Sequence, residues 1–341
     1  MKKLIFSILV LGVLLIVNMG AVTHPKVIIN KEASVAKILE KLGDTPMPHK
    51  PDVTLPGVSI ENGRSIVFTG YSYDASGHKS KVQSRHFKCT ACHNVVREDP
   101  DLSVSDPEAR LAYAQKNGLP FLQATTFYGI ANRLHFYNDD YKNKYGDLVD
   151  KARDDLREAT HLCAVVCSQG RDLEDWEIES VLAYFGSIDL KLKDLDLTTK
   201  EYEAVNTALE QPDKASDAIQ LLKSHYLDAS PANFIDPPAD RKKGYELQGD
   251  PENGKVIYEL SCLHCHDKGK YSFFKLDDSK YSFKLLNKNM SKYTRYSLYQ
   301  VGRYGTYPLN GKRGYMPHYT KEKMSKQQME DLRAYFKEMV K

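Results

Sequence analysis

Cys89-Thr90-Ala91-Cys92-His93 and Cys262-Leu263-His264-Cys265-His266 each set two thiols three positions apart, directly before an imidazole. This C-x-x-C-H pattern is the attachment signature of a c-type haem. Each thiol can form a thioether to one vinyl group, and the adjoining histidine is then held against the iron as proximal ligand. A zinc or dithiol redox site would leave the histidine after both pairs idle. Two occurrences predict two covalently bound haem c groups, attached through Cys89, Cys92, Cys262 and Cys265 and ligated by His93 and His266.

The surroundings of the two motifs repeat. Glu61-Asn62-Gly63-Arg64-Ser65-Ile66 mirrors Glu252-Asn253-Gly254-Lys255-Val256-Ile257, which suggests two copies of one unit. Gly254 lies 8 residues before Cys262, whereas Gly63 lies 26 before Cys89. The additional residues, around Thr69 to His86, are polar and carry Gly70 and Gly77, so they read as an inserted loop beside the first haem. Downstream, Leu173 to Phe185 has helical apolar spacing through Trp176, Ile178, Val181, Leu182 and Phe185. Met324 to Phe336 is its counterpart and ends in the same Ala-Tyr-Phe.

A glycine on a first helix, C-x-x-C-H at its end and a closing helix with an aromatic pair resemble class I cytochrome c, over about residues 59–190 and 245–341. The resemblance implies an all-α fold: two small haem domains, each exposing one haem edge. The expected organisation is an export signal or N-terminal anchor at 1–22, an extended proline-bearing segment at 23–58, the first haem domain at 59–190, a helical and proline-rich linker at 191–244, and the second haem domain at 245–341. In the linker, Thr199 to Glu210 and Asp213 to Leu227 read as helices joined at Pro212. After His93 the chain reads as acidic, proline-bearing turns and then a Tyr/Phe-rich stretch from Phe121 to Tyr145.

Lys2 and Lys3, the apolar run Leu4 to Val17, and the small residues Gly20 and Ala21 have the order of a secretory signal. Left uncleaved, Leu4 to Val22 is nearly long enough to span a bilayer, and only then would the protein meet a membrane. A periplasmic or otherwise extracytoplasmic location agrees with the haem motifs. The formal net charge of +3 is too small to argue for nucleic acid. It is uneven, since residues 245–341 hold 18 Lys/Arg against 11 Asp/Glu. A basic face near a haem steers an acidic redox partner or an anion, and a partner protein docking on the second domain is expected.

The sixth ligands decide potential and reactivity. For the second haem, Tyr315-Met316-Pro317 precedes the closing helix, where the class I family places its distal methionine, and Met316 is the expected ligand. Met290 and His318 are the competitors; Met324 and Met329 fall on the closing helix as packing residues. Between His93 and the linker there is no methionine. The candidates there are Cys163, Cys167, His161 and His135. Cys163 precedes its closing segment by nearly the same interval as Met316 precedes Met324, and a thiolate opposite His93 would stabilise ferric iron. The alternatives are Cys167 as ligand, a Cys163–Cys167 disulfide with a histidine ligand, and an open iron.

The long loop before Cys89, with Cys163, Gly170 and Leu173 in register, also resembles the thiosulfate dehydrogenases and SoxA-type cytochromes of sulfur oxidation. Their active-site haem is ligated by His and Cys. In this chain Ala164 stands where those enzymes carry a larger apolar residue, Cys167 is an additional thiol, and Tyr128 to Tyr145 has no counterpart. This resemblance implies a small sulfur anion oxidised at the first haem, with Cys163 and Arg171 as its catalytic residues. Arg157 and Arg133 are further candidates for oxyanion contact. The plain expectation is electron transfer between a partner or substrate at the first haem and an acceptor reached through the second. A dihaem peroxidase is a third option, and no distal acid–base motif of that family is evident.

Overall fold

A computed structural model describes residues 29–307 and 314–341. The export segment expected at 1–22 lies outside these residues. The described chain is helical, with only three isolated bridges, at Ser34–Lys191, Tyr73–Lys79 and His135–Ala229, in place of strands. No helix among the described residues is long and apolar enough to cross a membrane.

Two helix pairs organise the molecule. Ile60–Thr69 packs against Asp175–Ser187, and Pro251–Ile257 packs against Lys326–Glu338. Each crossing is made at a glycine. A Cβ on Gly63 would stand 1.9 Å from the carbonyl oxygen of Ser180 and 2.9 Å from Cβ of Tyr184. A Cβ on Gly254 would stand 2.1 Å from the carbonyl oxygen of Asp331 and 2.9 Å from Cβ of Tyr335. Only glycine lets the backbones approach this closely. Both closing helices begin on capping boxes, Glu174 with Glu177 and Ser325 with Gln328, which satisfy the first free amides.

The two halves differ before their motifs. In the second, Pro251–Ile257 runs through a wide π-turn, Tyr258–Cys262, into Leu263–His266, so the motif lies on the helix end. In the first, the helix stops at Gly70 in the left-handed conformation (φ 84°). The chain then makes the long polar loop before a single 3₁₀ turn, Cys89–Ala91.

Three cores form. One gathers Ile66, Val67, Val181, Leu182 and Phe185 around the first helix pair. A second joins the N-terminal helix Val35–Lys41 to Leu190, Leu192, Val205 and Leu222, so the N-terminal segment and the linker pack as one helical body. The third surrounds the second helix pair and takes in Leu111, Ala114 and Phe121. Leu111 and Ala114 belong to a helix, Pro107–Asn117, where the sequence reads as turns: Asp106 caps it and Pro107 opens it, both features that also occur in turns. Phe121 is fully buried there, a burial that contributes about 1.5–3 kcal/mol. Helices Lys280–Asn289 and Leu298–Tyr304 complete the wall of this core.

Candidate haem centres

At the second motif, Nδ1–H of His266 donates to the carbonyl of Phe274 (2.6 Å). That bond fixes the tautomer and leaves Nε2 for a metal. Burial lowers the imidazole pKa, which favours the neutral, ligating form. Cys262, Cys265, His266 and Met316 line one predominantly apolar cavity, walled by Leu298 and Phe336. Met316 is held by a reciprocal pair with Thr306: its N–H donates to Thr306 Oγ1 (2.7 Å), and its carbonyl accepts from Thr306 N–H (2.8 Å). Gly305 (φ 68°) is required beside it, because a Cβ there would lie 2.5 Å from the Met316 carbonyl oxygen. Met324 and Met329 contribute to the wall of the same cavity. Met290 is buried in the surrounding core, its carbonyl accepting from Ser297 Oγ. His318 packs against Phe234 and Tyr145.

At the first motif, Nδ1–H of His93 donates to the carbonyl of Thr125 (2.6 Å), and the ring stacks on Phe127 at 4.2 Å. Burial pushes His93 down to about 4. Its Nε2 faces Sγ of Cys163 at 4.0 Å. Imidazole and thiolate bonds to a transition metal such as zinc are roughly 2.0–2.1 and 2.3 Å. His93 and Cys163 would be the residues that hold an iron here, one through imidazole and one through thiolate. Among the described residues no group of three or more His, Cys, Asp or Glu gathers as a bare metal site, so the donor set of a zinc site is not assembled.

The polar loop ahead of Cys89 holds Cys163 in place. Cys163–Cys167 forms a π-turn that follows the helix Leu156–Leu162. Gln83 Nε2–H donates to the carbonyl of Ala164, and Ser84 Oγ–H donates to that of Ser168. Gly170 admits the clasp, since a Cβ there would meet Gln83 at 2.2 Å. The Cys163 thiol hydrogen-bonds the sulfur of Cys167, which raises the pKa of Cys163 and lowers that of Cys167. An iron bound to Cys163 would reverse that preference. Tyr137, Tyr145 and Tyr315 wall the two sulfurs; burial first, then the sulfur of Cys167, raises their phenols, Tyr145 to about 12. The Tyr/Phe-rich stretch that matches no family segment supplies most of this wall.

The other candidates are engaged elsewhere. His161 and His135 pair with Asp172 and Asp154. Arg171 makes two 2.6 Å contacts with Glu177 and a further one with the carbonyl of Lys81. Arg157 is bound to Glu179. Arg133 lines a separate polar pocket with Glu98, Asp99 and Lys323.

The two motifs touch. The His264 ring lies beside the carbonyl of Ala91, and Phe121 N–H donates to the carbonyl of Leu260 (2.9 Å). Cys92 and Phe87 line the second cavity. Phe87 meets Tyr315 edge to face at 6.0 Å. A buried ion pair braces the joint: Glu98 Oε1 is 2.9 Å from Lys323 Nζ, with Arg110 beside it. Burial alone would raise Glu98, but Lys323 and Arg110 hold it down to about 2. No sequence signal joins Glu98 to Lys323.

Residues 249–336 match the family described as cytochrome C oxidase, cbb3-type, subunit III. No curated protein and no solved structure matches the chain. The family match supports a c-type cytochrome domain over those residues, and with it an electron-transfer haem protein carrying covalently bound haem c.

Proposed function

We propose that the protein is an exported dihaem cytochrome c. In this reading it passes electrons between a His93/Cys163-ligated haem and a His266/Met316-ligated haem, and on to a partner. The observation that carries it is the direct contact of the two C-x-x-C-H motifs, His264 against Ala91, with Cys92 lining the cavity of the second motif. Two haems attached there would sit close together, with no chain between them to cross. Thioether ligation by Met316 gives a relatively high potential and thiolate ligation by Cys163 a low one, so electrons would run from the first centre to the second. The exit is the rim of the second cavity, which Tyr271 and Arg295 line and where Lys270 lies over the Tyr271 ring. That charge suits an acidic partner protein.

A second reading, oxidation of a small sulfur anion at the first haem, is favoured by the thiol facing His93 and by the second thiol beside it. Arg171 would then act by bracing Glu177, since its guanidinium is committed to that carboxylate.

Low-temperature EPR of the oxidised protein, with Cys163→Ala and Cys167→Ala beside it, tests the ligation. A narrow-spread low-spin ferric signal lost only in Cys163→Ala is the expected result. Wild-type spectra in both variants would sink thiolate ligation and, with it, the sulfur-anion reading. Turnover with thiosulfate separates enzyme from carrier.

A further inference from the structure

Cys167 has no part in haem attachment or in the ligation proposed above, yet it is hydrogen-bonded to the sulfur that faces His93. The backbone holds the two cysteines one wide turn apart: Ser168 N–H donates to the carbonyl of Cys163 (2.8 Å), the π-type bond that closes this turn. Such turns inside helices recur at functional sites. The next residue, Gln169, is held in the left-handed region (φ 54°), a conformation a non-glycine side chain adopts only under constraint. The Gln83 and Ser84 clasp supplies that constraint. Tyr137, Tyr145 and Tyr315 stand beside the pair, which is half-buried.

We propose that Cys163 and Cys167 form a dithiol–disulfide couple that competes with the first haem for the sulfur of Cys163. The proposal rests on the reading that Cys163 ligates that haem. In the reduced state the Cys163 thiolate is on ferric iron and Cys167 is a thiol. On oxidation the Cys163 sulfur leaves the iron and bonds to the sulfur of Cys167, whose proton goes to solvent. The sulfur pair loses two electrons, one to each ferric haem iron, leaving a disulfide, two ferrous irons and one proton. The balance closes because one chain holds two one-electron acceptors. Loss of the strongly donating thiolate also raises the potential of the first iron, which makes it able to take the second electron.

The test uses the whole haem-loaded protein, reduced with dithiothreitol and dithionite, freed of reductant and titrated with ferricyanide without oxygen. Haem absorbance, the thiolate EPR signal and alkylation of Cys163 and Cys167 read by mass spectrometry are followed together. In the wild type full oxidation is expected to consume two oxidising equivalents more than the two haems take, as two alkylatable thiols fall to none and the thiolate signal fades. Cys167→Ser is expected to consume only the equivalents the haems take and to keep the thiolate signal; Cys167→Ala repeats the measurement if the serine variant fails to fold. Persistence of two alkylatable thiols and an unchanged thiolate signal in the wild type would overturn the couple and leave ligation standing. A signal indifferent to Cys163→Ala would overturn ligation itself, and the couple with it.

Discussion

The His264 ring of the second motif lies beside the carbonyl of Ala91, inside the first. Residues between the paired thiols of both motifs are thus in contact. If both motifs are loaded, the chain carries two haem c groups that share a wall. A pyridine haemochrome assay is expected to give two c-type haems per chain, and one in the double variants Cys89→Ala/Cys92→Ala and Cys262→Ala/Cys265→Ala. A value of one in the wild type would leave one motif without its haem.

Met316 and Met290 are separated by their surroundings. Met316→Ala is expected to convert one low-spin haem to high spin and lower its midpoint potential, by a fraction of the roughly 0.8 V that axial ligation spans. Met290→Ala is expected to leave the spectrum unchanged and to cost about 2–5 kcal/mol through a core cavity. Redox titration and denaturant unfolding of the two variants check both halves.

The paired glycines make a stability prediction. Gly63→Ala and Gly254→Ala each drive a methyl into a backbone carbonyl and are expected to destabilise by about 1–3 kcal/mol or more. Gly186 has nothing within 4 Å of a would-be Cβ. Gly186→Ala is expected to stabilise by about 0.4–1 kcal/mol, and thermal unfolding ranks the three.

Glu98 sets a pH dependence. Its folded pKa, about 2, lies below the ordinary 4.5. The stability it contributes is complete above pH 4.5 and is lost as pH falls through 2. Lys323→Met leaves the carboxylate buried without its nearest cation and is expected to cost about 3–5 kcal/mol at pH 7. Adding Glu98→Gln is expected to recover most of that loss. Unfolding curves across this pH range should show the single variant converging on the wild type in acid.

Local signals in the sequence carried much of this. C-x-x-C-H is a short-range chemical requirement, and the helix crossings need glycine at one spot, so both left marks readable without a structure. The placement of Met316 in the cavity of His266, and of Cys163 facing His93, follows from similar order along the chain. Long-range relations left no such mark. Glu98 and Lys323 are ordinary charged residues until folding buries them together. Arg171 read as an anion contact because a guanidinium suits either an oxyanion or Glu177, and only geometry chooses. Asp106-Pro107 suits a helix start and a turn alike.

That last ambiguity hides a feature with consequences for how the chain is made. The helix Pro107–Asn117 and Phe121 complete a core whose other members, Ile257, Phe283, Leu332 and Phe336, are all synthesised much later. The first motif is therefore made while a neighbouring apolar segment still has no partner. The cores around Ile66 and Leu192 can close before the second half is made; the third cannot. That core waits for Phe336, and a break at the proline-rich connector would part Leu111, Ala114 and Phe121 from the rest of it.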